Sequence, residues 1–187
     1  MIMKKVLSVV LVVMLALAAH AQKDVTKFLG IPVDGSKQAM IQKLKAKGYK
    51  YNSTYDFLEG EFNGQNVVIK VQTNNNKVWR IMVAETNQLD ETNIKIRFNT
   101  LCGQFENNKK YVKALPDDYI IPDDERIMYR MSVDNKRYDA YFLQSSEKEN
   151  DDSLNRIVWF TINEHLNKYN IIMFYENGCN AANGEDL

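Results

Sequence analysis

Phe57-Leu58-Glu59-Gly60-Glu61-Phe62-Asn63-Gly64-Gln65-Asn66-Val67-Val68-Ile69-Lys70-Val71-Gln72 decides the fold. Asn-Gly is the strongest short hairpin signal, because both residues tolerate the positive φ that a tight two-residue turn requires. Folding the chain at Asn63-Gly64 sets Phe62 against Gln65, Gly60 against Val67 and Leu58 against Ile69. One face then carries Leu58, Gly60, Phe62, Val67, Ile69 and Val71. The other carries Glu59, Glu61, Asn66, Lys70 and Gln72, with Val68 the exception. Such alternation belongs to an antiparallel sheet with one packed side and one wet side.

Upstream of the hairpin, Ser36 caps a short helix that runs to about Lys47, with Met40, Ile41 and Leu44 on one face and Gly48 at its stop. Its lysines (Lys37, Lys43, Lys45, Lys47) and Lys50 read as a solvated face. Downstream, Thr73–Asn76 turns the chain, and Val78–Ala84 is a third strand with Trp79, Ile81 and Val83 pointing inward. The pattern then recurs. Asp90 caps a second helix with Ile94, Phe98, Leu101 and Phe105 at helical spacing. A second hairpin is predicted at Asp134-Asn135, pairing Met131 with Tyr138, Tyr129 with Ala140 and Ile127 with Phe142, and setting Arg130 opposite Asp139. Ile157–Asn163 and Tyr169–Glu176 complete the strands. Val78-Trp79 matches Val158-Trp159, and Phe62-Asn63-Gly64 matches Val133-Asp134-Asn135. The predicted fold is therefore α+β: a tandem repeat of two helix-plus-antiparallel-sheet units, α-β-β-β, the second with an extra strand and insertions at Leu115–Glu125 and Ser145–Ser153. The units span about 22–86 and 87–187 of a single domain, 22–187.

The amino terminus reads as an export signal. Lys4 and Lys5 precede the apolar run Val6–Ala19, and Ala19-His20-Ala21 supplies a cleavage site after Ala21. The run of about 14 residues is shorter than the roughly 20 that a spanning helix needs. Residues 1–21 are thus expected to be a cleaved signal peptide and the mature chain to be periplasmic or extracellular, with no membrane span. The full chain has 24 basic and 24 acidic residues. Losing two lysines leaves the mature chain near neutral, which argues against nucleic acid or an anionic membrane as partner.

Few residues suggest chemistry. Once His20 is removed, His165 is the only histidine, in a predicted turn over Glu164–Lys168, and no G-x-S-x-G elbow accompanies it. A histidine-based metal site fails on count. The acidic clusters Asp117-Asp118, Asp123-Asp124-Glu125 and Asp151-Asp152 lack the spacing of a calcium loop. No phosphate-binding loop or dinucleotide fingerprint appears, so no cofactor is expected. Cys102 and Cys179 are the only cysteines. They are either a disulfide, which an oxidising compartment permits, or two separate thiols with Cys102 on a buried helix face. Asp152-Ser153-Leu154 looks like a short bacterial O-glycosylation signal at Ser153.

Phe28-Leu29-Gly30-Ile31-Pro32-Val33-Asp34-Gly35, leading into the lysine-rich helix that ends Lys47-Gly48-Tyr49, resembles an uncharacterised family of secreted Bacteroidetes proteins. Phe62-Asn63-Gly64, Asn76-Lys77-Val78-Trp79-Arg80 and the tail Ala182–Leu187 fit the same resemblance. It implies export but brings no activity and no site residues. The helix-then-strands duplication is also similar, in architecture only, to the secreted β-lactamase-inhibitor-protein fold.

The functional expectation is a secreted, non-enzymatic binding module of the bacterial envelope, its partner another envelope protein or a glycan. The alternatives are a carboxylate-dependent hydrolase and a structural envelope component. The candidate partner-facing residues are Tyr141, Phe160 and Ile162, on a predicted outer face that also carries Met128, Leu143 and Val158. A contiguous apolar face of this kind marks an interaction site unless residues 112–121 fold across it. A flat aromatic sheet face would favour binding; converging carboxylates in a deep cleft would favour an enzyme.

Overall fold

Ser36 and Asp90 start the two long helices as their side chains require. Each accepts a backbone N–H three residues on, from Ala39 and from Asn93. The computed structural model describes residues 24–146 and 155–182; residues 1–21, expected to be a signal peptide, and Ser153 lie outside the described residues. A small hairpin, β1 (Lys27–Phe28) and β2 (Ile31–Pro32), precedes α1 (Lys37–Ala46). Then come β3 (Lys50–Asn52), β4 (Phe57–Phe62), β5 (Gln65–Asn74) and β6 (Lys77–Glu85). The second half runs α2 (Glu91–Glu106), β7 (Tyr111–Lys113), α3 (Ile127–Ser132), β8 (Asp139–Gln144), β9 (Arg156–His165) and β10 (Lys168–Asn177). The fold is α+β.

One eight-stranded antiparallel sheet, in the order β3-β4-β5-β6-β10-β9-β8-β7, runs through both halves. The Asn63-Gly64 hairpin forms in the predicted register: Phe62 pairs with Gln65, Gly60 with Val67 and Leu58 with Ile69. Helix α1 packs on β5 and β6, and α2 on β10 and β7. Both bury their apolar stripes in the same core, Met40, Ile41 and Leu44 from α1, and Ile94, Phe98, Leu101 and Phe105 from α2. No helix among the described residues is long and apolar enough to cross a membrane.

The second hairpin is a correction. Ile127–Ser132 is a helix, and β8 pairs with β7 and β9, not with residues 127–131. Asn135 does adopt a positive φ of 53°, as a hairpin turn would need. Here it ends a helix, with the Lys136 N–H returning to the Arg130 carbonyl at 2.9 Å. Positive φ serves a helix stop as well as a hairpin turn, so the same signal fits both. Arg130 accordingly pairs with Asp134 and Glu125, while Asp139 pairs with Arg137.

Trp79 is a second correction. Gln72 pairs with Arg80 but Thr73 with Val78, so Trp79 is an extra residue, a β-bulge. The bulge shifts the alternation: Val78, Ile81 and Val83 are buried, and Trp79 shares the outer side with Arg80. Trp79 and Trp159 also do not hold equivalent places, since β6 is the fourth strand after α1 and β9 the third after α2.

Candidate functional site

Strands β9 and β10 are apolar on both sides, so pairing rather than composition assigns their faces. Val158, Phe160 and Ile162 of β9 point into the core with Ile171, Met173 and Tyr175 of β10. Phe98 and Phe105 of α2 cover Phe160 at centroid distances of 5.1 and 5.4 Å. The opposite face is covered by no described element. Tyr141 lies across from Trp159, Trp159 from Phe174, Phe174 from Met82, and Met82 from Lys70. A neighbouring row runs Leu143, Ile157, Glu176, Arg80, Gln72, and a third runs Asp139, Thr161, Ile172, Ala84, Val68.

The first two rows build a ladder. Tyr141 and Trp159 stack at 5.5 Å and 20°, and Trp159 and Phe174 at 4.1 Å and 19°. The Arg80 guanidinium continues it, 5.0 Å from the Phe174 ring and 3.9 Å from the Trp79 ring. Cross-strand aromatic pairs prefer such offset geometry, and arginine is a favoured stacking partner because its charge is delocalised and planar. Glu176 locks the centre: one carboxylate oxygen accepts from Arg80 Nη2 at 2.6 Å and from Trp159 Nε1 at 2.7 Å. At the margin, Tyr141 donates to Asp139 at 3.4 Å, and burial first, then Asp139, pushes its hydroxyl pKa up. Among the described buried side-chain atoms, two lack a hydrogen-bond partner, Gln72 Oε1 and Arg80 Nε. Both belong to this face, on residues directly paired across β5 and β6.

No protein-family model, no curated protein and no solved structure matches the chain.

Of the three residues expected to face a partner, Tyr141 is on the open face, whereas Phe160 (0% exposed) and Ile162 (3%) are core. Tyr141 and Phe160 were read as sharing a side; their register differs by one, since Tyr141 pairs with Trp159 and Ala140 with Phe160. Residues 112–121 do not lie over the open face. Tyr119 and Ile121 pack on the helix side instead, with Tyr119 edge-on to Phe142 at 5.7 Å and Asn99 exchanging two hydrogen bonds with Ile121.

Cys102 and Cys179 are both free thiols, which corrects the disulfide alternative. Cys102 is buried on the core face of α2, and burial pushes its thiol up to about 12; Cys179 lies in the short turn after β10. His165 is exposed at the β9–β10 turn. The described residues contain no group of three or more His, Cys, Asp or Glu side chains placed to hold a metal ion. Glu125 instead ties a loop together. It accepts from Lys136 and Tyr138, both at 2.6 Å, and these two with Arg130 hold its carboxyl down at about 2.

Trp159, Phe174, Arg80 and Glu176 escaped the sequence reading. One signal for them was present: Trp159 and Phe174 stand two residues from other large apolar groups on strands already identified, so either side of each strand could supply the core.

Proposed function

We propose that this chain is an exported, non-enzymatic binding module and that the open sheet face docks another protein of the cell envelope. The stacked ladder Tyr141–Trp159–Phe174–Arg80–Trp79 on a face left bare by the described elements carries the reading. A sheet needs only polar groups on its wet side. Here Leu143, Ile157, Met82 and Ile172 join the rings, while Lys70, Glu59 and Arg137 stand around them. Tryptophan, tyrosine, arginine and methionine at the centre with charges at the rim is the composition of protein interfaces and their hot spots.

The stacking also favours protein over glycan. A sugar binds an aromatic ring through the ring's flat face. In the ladder, neighbouring side chains occupy both faces of Trp159 and of Phe174, which leaves ring edges toward solvent. Edges, thioether and a hydrogen-bonded ion pair suit a polypeptide surface.

Duplication remains part of the proposal, in a register shifted by one strand. The palindromic strand order supports matching α1 with α2 and β3–β6 with β7–β10. The turns Asn75-Asn76 and Leu166-Asn167, each with two consecutive positive-φ residues, then correspond.

A photo-crosslinking residue at Thr161, on the open face, tests the docking surface against one at Ile96, exposed on α2. Crosslinks to one envelope protein are expected from position 161 alone, and Trp159→Ala should weaken binding of that purified protein about 30-fold or more. Equal labelling from both positions, or capture of polysaccharide only, refutes the protein-docking reading. Sequencing of protein from the culture's periplasmic and secreted fractions tests export, with Gln22 the expected first residue.

A further inference from the structure

The opposite side of the sheet carries a cleft. Between the C-terminal end of α2 and the β1–β2 hairpin lie two adjoining hollows of about 480 and 460 Å³, which share Leu29, Phe62, Asn108, Tyr111 and Tyr175. That size suits a small molecule. The floor is apolar: Met173 and Tyr175 are buried, and Phe28 packs on Tyr175 at 4.8 Å and on Phe62 at 5.3 Å. Burial first, then the neighbouring Tyr111, pushes the Tyr175 hydroxyl pKa up, and the Tyr111 hydroxyl accepts weakly from Gln144 at 3.4 Å.

Two leucines have positive φ among the described residues, Leu29 and the exposed Leu166, and of these Leu29 alone lines the hollows. Leu29 stands at the hairpin tip with φ +52°, followed by Gly30 at +78°. Left-handed backbone strains a bulky residue, and asparagine or glycine would fill such a turn without that strain. Leucine at this tip places an apolar wall on both hollows.

The polar groups fix the ligand class. Asn63 Nδ2 donates to Gln104 Oε1 at 2.8 Å at the rim of the larger hollow, and Asn108 lines both hollows. These carboxamides both donate and accept. Glu61 lines the larger hollow and Asp24, Lys27 and Lys110 the smaller, all toward the rim, whereas the floor of Met173, Tyr175 and Phe62 holds no charge, so a charged group carried down to it would be desolvated without compensation. We propose that the cleft binds a small uncharged aromatic ligand bearing an amide, the chemistry of an aromatic residue with its peptide group. The rings accept the aromatic portion and the carboxamides pair with the amide. The proposal stands apart from the docking face, because successive β10 residues serve opposite sides: Met173 and Tyr175 face the cleft, Phe174 and Glu176 the ladder.

The test is titration of the intact, isotopically labelled chain with N-acetyl-phenylalanine amide, followed by amide NMR shifts. N-acetylglucosamine and phenylacetate are the uncharged-sugar and anionic-aromatic comparators. Saturable shifts confined to Tyr111, Tyr175, Gln104 and Asn108 are expected, with both comparators weaker. Leu29→Gly relieves the backbone while removing the wall. It should leave melting unchanged or raised and weaken the probe about ten-fold or more. Trp159→Ala should leave probe binding intact. Absence of saturation, shifts at the ladder, tighter binding of either comparator, or unaltered affinity in Leu29→Gly each overturns the proposal.

Discussion

Phe160 and Trp159 are sequence neighbours on opposite faces of β9, and their truncation separates core from surface. Phe160 is fully buried and touches Phe98, Phe105 and Phe142 at centroid distances of 5.1, 5.4 and 6.1 Å. Removing a ring from such a site loses its transfer free energy and leaves a cavity, a cost of about 3–5 kcal/mol. Trp159 is half-buried and stacks on Tyr141 and Phe174. Each aromatic pair contributes roughly 0.5–1.5 kcal/mol, and part of this is offset because alanine exposes less apolar surface to water. Trp159→Ala should therefore cost only about 1–2 kcal/mol. For a chain of this size 1 kcal/mol moves the melting temperature by roughly 2–4 °C, so Phe160→Ala should melt about 10 °C or more below the parent and Trp159→Ala only a few degrees. Urea unfolding followed by far-ultraviolet circular dichroism measures both. Equal losses would mean that something buries the outer face as deeply as α2 buries the inner one, and the docking argument would fail with it.

Three further outcomes follow from single sites. Glu125 has its carboxyl lowered to about 2 from an ordinary 4.5 by Lys136 and Tyr138, so its contribution is complete above pH 4.5 and lost as pH falls toward 2. Because the group lies near the surface, Glu125→Gln should remove only about 1 kcal/mol at pH 7 and flatten the acid limb of a stability–pH curve. Cys179 should react with iodoacetamide in the folded protein and Cys102 only after denaturation, since burial holds the latter's thiol up at about 12; protection of both until reduction would restore the disulfide. Gly60→Ala would place a methyl 2.5 Å from Tyr49 Cδ1 and push aside the ring whose hydroxyl donates to the Glu61 carbonyl, a loss of about 1–3 kcal/mol in denaturant titration. A neutral Gly60→Ala would mean that the Tyr49 ring is loosely held.

Much of the fold was legible because local rules and tertiary packing agree. The Asn63-Gly64 register, both helix caps and the apolar stripes of α1 and α2 follow from turn chemistry and periodicity alone. The failures occur where one signal has two structural uses. Asp134-Asn135 supplies positive φ to a helix stop, and nothing local separates that from a hairpin. Trp79 enters as a bulge, and a bulge changes the side of every residue beyond it relative to the partner strand. The candidate site failed for a related reason. Strands β9 and β10 are apolar at nearly every position, so alternation assigns no face, and only the approach of Phe98 and Phe105 selects Phe160 over Trp159 as core. Tyr141 lies on the open face, but the predicted register grouped it with Phe160, which is core.

The two unpartnered atoms of the open face offer the sharpest test of what that face is for. Gln72 Oε1 and Arg80 Nε are buried without hydrogen bonds on directly paired residues. Leaving a buried polar group unmade costs about 1–3 kcal/mol, and stability alone would replace it. Both atoms lie out of reach of solvent, so a partner that presents a peptide group would satisfy them only if the Gln72 and Arg80 side chains turn outward on docking, its carbonyl then accepting from Arg80 and its N–H donating to Gln72. The cost is then carried by the free protein and recovered on docking. Arg80 cannot be removed cleanly, because Glu176 depends on it. Gln72→Leu, by contrast, deletes one unmet acceptor with little change of shape. It should leave the free protein as stable as the parent, or more stable by about 1 kcal/mol, and should weaken the docked complex. Calorimetric unfolding of the free protein and affinity for the crosslinked partner are the two readouts. A variant that is less stable yet binds as before would show that the carboxamide serves the fold, and the peptide-group argument would be lost.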